Sequence, residues 1–417
     1  MVYVLSKEGK PLMPTKRCGK VKRLLRSGMA KVVTRVPFTI QLNCDSTCYS
    51  QPITLGVDAG SKVVGLSATT GKEELYAAEV MLRTDVVELL AAKASYRRAR
   101  RSRTTRYRKP RFNNRAKPKG WLTPSIRQKI NTHEKAVALV HKILPITRIV
   151  VEVASFDIQK IKNPDIAGIE YQQGEQAGFW NVREYVLFRD GHTCQYCKGK
   201  SCDKILDVHH IESRQIGGNA PNNLITLCET CHDKHHWGEI ALKIKRGASF
   251  RDAAFMGIMR WAFYNKLQEA YPNVSLTYGY LTKMARIAQC LQKGHCIDAF
   301  CIAGNMGAVM SPNWFLQKAV RRHNRQIHKA TIAKGGKRQL NQAPKVVRGF
   351  KLFDKVLYRG RECFVFGRRS SGYFDLRQLD GTKIHASANC KELRRVLPAK
   401  TLLTETLGGR IPPPLTA

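Results

Sequence analysis

The sequence predicts a multidomain α/β protein, in which one sheet domain is interrupted by a compact insertion rich in cysteine and histidine and followed by a small β domain. Three observations predict it. At 417 residues a single hydrophobic core would stop growing, so two or more domains are expected, and 43% apolar content is enough to fill them. Apolar, strand-like runs at 53–58, 63–68 and 149–153 are separated by a long helical pattern at 125–144, the alternation expected of α/β architecture. Four cysteines stand as Cys194-x2-Cys197 and Cys228-x2-Cys231 within residues 178–237, a segment dense in Cys and His.

Taken in order, the first 51 residues hold a Pro11-Leu12-Met13-Pro14 stretch, a basic helical pattern over 20–27 and an alternating run over 31–42, together a small α+β leader. The run 53–58 ends in Asp58-Ala59-Gly60-Ser61 and forms a hairpin with 63–68 through a glycine-containing turn, which leaves an acid at the end of the first strand. A helical pattern from residue 84 (Val86, Val87, Leu89, Leu90) passes without a breaker into the most basic stretch of the chain. Residues 93–119 contain 13 Lys or Arg and no acid. Over 125–144, Ile126, Ile130, Val137, Val140 and Leu144 share one helical face, and Pro145 ends the helix. Glu152 then lies inside the short apolar run 149–153.

Beyond the insertion, residues 249–270 and 281–303 carry helical apolar spacing. Residues 317–345 are basic and poor in apolar side chains, a linker or a segment that a partner orders. The stretches 355–358, 361–366, 373–379 and 382–386 read as short strands. Arg359-Gly360 and Asp380-Gly381 are hairpin signals between them, so this region is expected to be a small barrel or curled sheet.

Charge narrows the function. Lys and Arg number 72 against 31 Asp and Glu, a formal net charge of +41. An excess of this size repels itself in the compact state unless a polyanion shares the surface, and its clustering over 93–119 points to nucleic acid. Global disorder is excluded by the apolar content. The longest uncharged run, 299–317, is broken by Asn305, Pro312 and Asn313, and the N-terminus lacks the pattern of a signal peptide, so no membrane association is expected. Thirteen cysteines, an odd number in such a chain, fit a reducing, cytoplasmic compartment better than a disulfide framework.

The two Cys-x2-Cys pairs are 30 residues apart, and such pairs bring four soft thiolates to one structural Zn2+. Between them lie Asp207-Val208-His209-His210-Ile211, a turn-rich Gly217-Gly218-Asn219 and Asn222-Asn223-Leu224; Cys231-His232 and His236 close the series. These residues resemble the HNH nuclease motif. The resemblance implies a ββα-metal fold with the first His pair on a strand, the Asn on a loop and the last His on a helix. It makes His210 the general base, His209 and His232 ligands of a divalent metal with His236 a further ligand, and Asn223 the residue that holds the loop. Where the HNH domains of CRISPR type II effectors have Asp and Asn, this chain has His209 and His232.

A second set of acids is spread over three segments. Asp58 ends one strand, Glu152 lies in another, and His295 and Asp298 stand at i and i+3 on one helix face. Cleavage of a phosphodiester by two hard cations about 4 Å apart needs a carboxylate set of this kind. In order, the segments around Asp58, Glu152 and His295-Cys296-Ile297-Asp298 resemble a RuvC-type, RNase H-like nuclease split into three pieces, with the HNH segment between the second and third. Together with the Pro-Leu-Met-Pro leader and the basic helix, they resemble the IscB family of transposon-encoded RNA-guided nucleases, related to the ancestor of CRISPR type II effectors.

That resemblance covers essentially the whole chain and implies an order of parts. A leader spans 1–51, RuvC pieces span 52–83, 120–177 and 239–316, and an arginine-rich bridge helix spans 84–119. An HNH domain with zinc knuckles spans 178–238, a basic RNA-contacting linker 317–349, and a C-terminal β domain that reads a target-adjacent motif 350–417. Arg97, Arg98, Arg100, Arg101 and Arg103 would lie along RNA phosphates. The implied activity is an RNA-guided double-strand break, HNH cutting the guide-paired strand and RuvC the displaced one. The implied cofactors are Mg2+ or Mn2+ at both sites besides the zinc. The implied partners are a large, structured, omega-type guide RNA and double-stranded target DNA, held in a monomeric ribonucleoprotein. Two other readings remain open: an HNH homing or transposon endonuclease that reads DNA by protein contacts alone, and an RNA-binding regulator with dead nuclease sites.

Overall fold

The computed structural model describes residues 1–102, 121–153, 182–201, 203–213, 221–242, 251–321, 330–332, 338–340 and 344–409. The chain divides into two units, one of residues 1–154 and 259–417 and the other of residues 155–258.

The first unit opens with β1 (Val2–Leu5), β2 (Pro11–Thr15), α1 (Cys18–Arg26), β3 (Ala30–Arg35) and β4 (Phe38–Leu42). Their sheet has the order β2-β1-β4-β3, and α1 packs on it through Val21, Leu24 and Leu25. The alternating run over 31–42 is therefore two antiparallel strands, because Pro37 cannot donate to a ladder and sits at the corner between them. Next come β5 (Thr54–Asp58), β6 (Val63–Thr69) and β7 (Glu74–Met81), an antiparallel meander. The helices α2 (Val86–Arg101) and α3 (Pro124–His141) lead to β8 (Arg148–Glu152). Not one described side chain of α2 is buried, so the helix presents no buried face to its own unit. Arg103 and the rest of the basic stretch to residue 119 lie outside the described residues.

The second unit contains α4 (Val182–Arg189), β9 (Leu206–His210), β10 (Leu224–Cys228) and α5 (Glu229–His236). Its two strands are antiparallel, with His209 opposite Ile225 and His210 opposite Leu224. Tyr185 and Val186 of α4 pack on Leu224, and Ile225, Leu227 and three of the cysteines form a second small core. The helix α6 (Arg251–Ala270) follows, then β11 (Val274–Thr277), α7 (Gly279–Ala288), α8 (His295–Ala303) and β12 (Trp314–Ala319).

Beyond β12, short ladders pair β13 (Ala330–Ile332) with β14 (Arg338–Leu340), and β15 (Val346–Val347) with β16 (Phe350–Lys351). Then β17 (Lys355–Tyr358), β18 (Arg361–Arg368), β19 (Tyr373–Arg377), β20 (Lys383–Asn389) and β21 (Leu393–Leu397) form an antiparallel sheet of order β20-β19-β18-β17-β21. Its core is Val356, Cys363, Val365, Phe374 and Leu376. Arg359 and Gly360 both have positive φ, 47° and 79°, as a two-residue hairpin turn that matches strand twist requires. The last strand, β22 (Leu402–Leu407), does not join this sheet but pairs with β12.

Among the described residues the main sheet has seven strands in the order β11-β8-β5-β6-β7-β12-β22. β8 is parallel to both β5 and β11, and β12 is parallel to β7. Two sequence expectations change here. Residues 281–303 are not one helix: α7 ends before Cys290, whose φ of 50° is left-handed, and α8 starts after Gly294. Gln317 to Ala319, assigned by their basic surroundings to a linker, are the end of β12 and lie inside the sheet.

What fixes the face of this sheet is α8. A Cβ at Gly56 would lie 2.0 Å from the carbonyl oxygen of Ala299, and one at Gly65 would lie 1.9 Å from that of His295. Both are backbone atoms, so no side-chain rearrangement could relieve the overlap. Glycine at these two places lets the helix backbone come down directly on β5 and β6, where Ala299, Phe300 and Ala303 are buried. Gly65→Ala is expected to lift α8 and destabilise the first unit by about 1–3 kcal/mol, the usual range for overpacking. Chemical denaturation should show it as a lower midpoint at unchanged slope, and an unchanged midpoint would mean that the helix is not seated as described.

Candidate metal centres and the acidic site

The acidic site is built at the carboxyl ends of two adjacent parallel strands. Val57 pairs with Val151, so the next residues, Asp58 and Glu152, end β5 and β8 side by side. Ligand sites in α/β sheets gather at such strand ends. The glycine-seated helix α8 supplies the rest: His295 Nδ1 lies 2.7 Å from Asp58 Oδ2, and Asp298 stands one turn further on. The four residues named from sequence thus converge on one edge of the sheet, from three separate segments.

Two arginines that the sequence did not mark lie among them. Arg260 of α6 donates from Nε to the Ala59 carbonyl at 2.8 Å and places Nη2 3.5 Å from Glu152. Arg286 of α7 brings Nε within 2.9 Å of Asp298 Oδ1. Although close enough for an ion pair, these two atoms are not aligned for a hydrogen bond, and both are buried without a hydrogen-bond partner. Glu79 of β7 accepts from the backbone N–H of Cys296 at 3.2 Å, which fixes the first turn of α8. Neither spacing nor neighbours in sequence distinguish these residues, since each acts through an element brought in by the fold.

The electrostatics follow from burial and crowding. Burial raises the Glu152 carboxyl above its ordinary range, and the nearby Asp58 raises it further. Asp298 is raised for the same two reasons, in the same order. The hydrogen bond to Asp58 raises the His295 imidazole against the opposing effect of burial. Carboxylates that penalise one another's charge, with a buried oxygen of Asp298 left without a hydrogen bond, form a donor set suited to hard divalent cations.

In the second unit two ligand groups close up. The donor atoms of Cys194, Cys197, Cys228 and Cys231 lie within 4.8 Å of one another, and so do those of His209, His232 and His236. Either group could hold a metal ion. Among the described residues the acidic trio does not close to that distance. Cys197 and Cys228 approach to 3.8 Å, and Ser201 Oγ lies 3.3 Å from the first sulfur and 3.0 Å from the second. Burial pushes the Cys197 thiol up, but hydrogen bonds from Ser201, Cys194 and the Gly199 backbone together bring it down to about 6, toward the thiolate that a metal needs.

The imidazole group is assembled by strand and helix together. His209 projects from β9, and His232 and His236 occupy successive turns of α5, with their Nε2 atoms 3.2 Å apart. Burial, reinforced by His232 and the other histidines, lowers His209 to about 4, so its ring is neutral and able to ligate. His210 is the next residue on β9 but is not one of the three that close together. His235 went unmarked in the sequence; its ring lies edge-on to His209 at 4.9 Å, and its Nδ1 is 3.2 Å from the Ile240 carbonyl. Asn223 is fully buried, receives the Glu212 N–H at 2.9 Å and donates to the Glu212 carbonyl at 3.0 Å. This two-way bond ties the end of β9 to the start of β10.

Comparison with known families matches residues 2–174 to the RRXRR protein family and residues 194–238 to the HNH endonuclease family. The chain carries an RRXRR domain and an HNH nuclease domain, which support a nuclease function. The pattern of two arginines, any residue and two arginines occurs here as Arg97-Arg98-Ala99-Arg100-Arg101. No curated protein matches the chain. Among solved structures, Streptococcus thermophilus Cas9 in complex with the AGAA PAM is 14% identical with a TM-score of 0.30, over 50% of this chain and 30% of that one. The same Cas9 with the GGAA PAM is 16% identical with a TM-score of 0.29, over 53% and 31%. The chain thus spans about a third of the length of these structures.

Replacing Asn223 by Ala would remove the buried side chain that pairs with both the N–H and the C=O of Glu212. Asn223→Ala is expected to destabilise the second unit by about 1–3 kcal/mol, taking each of the two lost hydrogen bonds as about 0.5–1.5 kcal/mol. Amide exchange at Glu212 should speed up accordingly, and unaltered exchange would show that the loop is held by other means.

Proposed function

We propose that the chain is an RNA-guided DNA endonuclease with two independent cutting sites, the acidic site on the main sheet and the HNH site in the second unit. One observation carries this reading: acids from three segments converge at one sheet edge in a chain that also holds a separate HNH domain. A duplex has two strands, and a chain with two chemically distinct phosphodiester-cleaving sites is equipped for both. The net charge of +41 and helix α2, which carries Arg97, Arg98 and Arg101 and has no described side chain fully buried, support RNA phosphates as the partner of that helix. With RNA as the sequence reader, the protein needs only to recognise heteroduplex shape and a short flanking motif. A strand order with acids at adjacent strand ends supports the RuvC-type, RNase H-like identity of the main sheet.

At the acidic site Asp58, Glu152 and Asp298 would hold divalent cations, which supply charge neutralisation to the attacking and leaving oxygens when bound. Asp58 orients His295 through Nδ1, which leaves Nε2 as the atom that exchanges a proton with the reacting water. Arg260 keeps the Asp58-Ala59 backbone in place. In the HNH site His209, His232 and His236 would hold one ion, His210 would take the proton of the attacking water, and Asn223 keeps β9 in register with β10. Three imidazoles are a poorer match for Mg2+ than carboxylates are and favour a transition-metal ion, so the two sites are expected to differ in metal preference. Four thiols form the donor set of a structural zinc.

Two measurements test these assignments. Programmed with its copurified RNA, Asp58→Ala should nick only the guide-paired strand and His210→Ala only the displaced strand of a strand-labelled plasmid. Loss of the same strand by both variants would reject the two-site reading, and absence of a discrete bound RNA would reject guidance. Metal analysis should find one zinc per chain, lost in Cys228→Ala together with amide protection of the second unit but not of the main sheet. A zinc-free wild type would overturn the tetrathiolate assignment.

A further inference from the structure

Beside the acidic site the chain exposes two aromatic rings that the mechanism above does not use. Tyr278 and Tyr280 are 38% and 54% exposed, and their rings are close to parallel, at 11°, with centroids 6.1 Å apart. Within a helix, residues i and i+2 do not face each other. Here they can, because Tyr278 is the N-cap of α7 in extended conformation (φ −115°, ψ 147°), whereas Tyr280 is already inside the first turn. The pairing is therefore a product of the helix start and not of a shared core.

The residue between them touches the acid. A Cβ at Gly279 would lie 3.2 Å from Glu152 Oε1, so the carboxylate packs directly on this turn, and the hydroxyl of Thr282 donates to the Tyr278 carbonyl at 3.5 Å within it. The exposed face continues along α7 through Leu281, Met284 and Ile287. Lys283 is exposed on the same helix, and Lys293 is near enough to Asp298 to lower its proton affinity. Uncharged flat rings next to the acidic site, with one lysine on the same helix and another near Asp298, match the two halves of a single-stranded nucleic acid: bases to stack and phosphates to neutralise.

We propose that Tyr278 and Tyr280 form a stacking platform on which bases of a single DNA strand rest as its backbone enters the acidic site. This rests on the reading of that site as the cutter of the displaced strand. Stacking is indifferent to base identity, as a guide-programmed enzyme requires, because every base has a π-face. The platform also defines a direction: a base held over Gly279 places its neighbouring phosphate at the Glu152 side of the sheet edge.

The test uses the full chain with its copurified RNA in the Asp58→Ala background, which cannot cut at this site, and a single-stranded oligonucleotide containing 2-aminopurine. Stacking should quench the probe. Tyr278→Ala with Tyr280→Ala should weaken binding about tenfold and abolish the quench, and the double Phe variant should restore both. With Asp58 intact, the double Ala variant should cut the displaced strand more slowly, chiefly through a higher KM, at unchanged melting temperature. Quenching and affinity unchanged in the Ala variant would overturn the platform. A lowered melting temperature with unchanged DNA affinity would overturn it too, and would assign the face to protein packing. Quenching without any displaced-strand cutting by the active enzyme would refute the nuclease reading and leave the platform standing.

Discussion

The contact on which the site depends is the descent of α8 onto the glycines of β5 and β6. Helices normally stand off a sheet by the thickness of two layers of side chains, but at Gly56 and Gly65 the helix backbone itself meets the strands. That shortens the distance between His295 and Asp58 to a hydrogen bond, although 237 residues separate them in the chain. A Cβ at either position would push the imidazole and Asp298 away from the sheet edge together, because both ride on the first turn of one helix. Glu79 works toward the same end from β7, two strands away, by holding the amide of Cys296.

Crowded acids in a strongly basic protein raise a question of balance. Glu152 and Asp298 have their carboxyls raised at the sheet edge, first by burial and then by the charge of Asp58, in a protein whose net charge is +41. Arg260 and Arg286 moderate that rise without cancelling it. Arg260 commits its Nε to a backbone carbonyl, and Arg286 approaches Asp298 without hydrogen-bond alignment. An arginine with a full bidentate grip would close off the carboxylate. These partial contacts keep the acids in place while leaving their oxygens open to other cations.

Most of the chemistry was legible in the sequence because the donors are short-range motifs. Cys-x2-Cys pairs, His209-His210 and a strand ending in Asp58 announce themselves within a few residues, and folding then brings the separated ends of the four-thiol and three-imidazole groups together in space. Less legible were the parts whose role arises only across the fold. β7 begins Glu74-Leu75-Tyr76-Ala77-Ala78, and alanines with a leading acid are poor strand signals, yet the strand is buried between β6 and β12. Arg260, Arg286 and Glu79 lie in segments with no motif at all. The end of β12 was hidden by the basic chain that follows it, because composition averaged over 29 residues from 317 to 345 masks three that pair in a sheet.

The two ligand-bearing units are stabilised by different physics, and this bears on how they can act. The acidic site draws its rigidity from a seven-stranded sheet and a helix locked to it by backbone contact. The second unit has, among its described residues, a two-stranded ladder, short helices and small cores that include three of the four clustered cysteines. A core of that size is marginal without a cross-link, so binding at the thiol cluster would contribute to folding and not only to chemistry. Loss of metal should then act on the second unit as a whole, whereas at the sheet edge the acids would remain where the backbone puts them. The donor sets diverge in the same sense, oxygen at the sheet and nitrogen and sulfur in the insertion, so ions bound at them would be selected by different chemistry. Two donor sets with separate supports can be perturbed one at a time, which is the physical basis for treating them as independent.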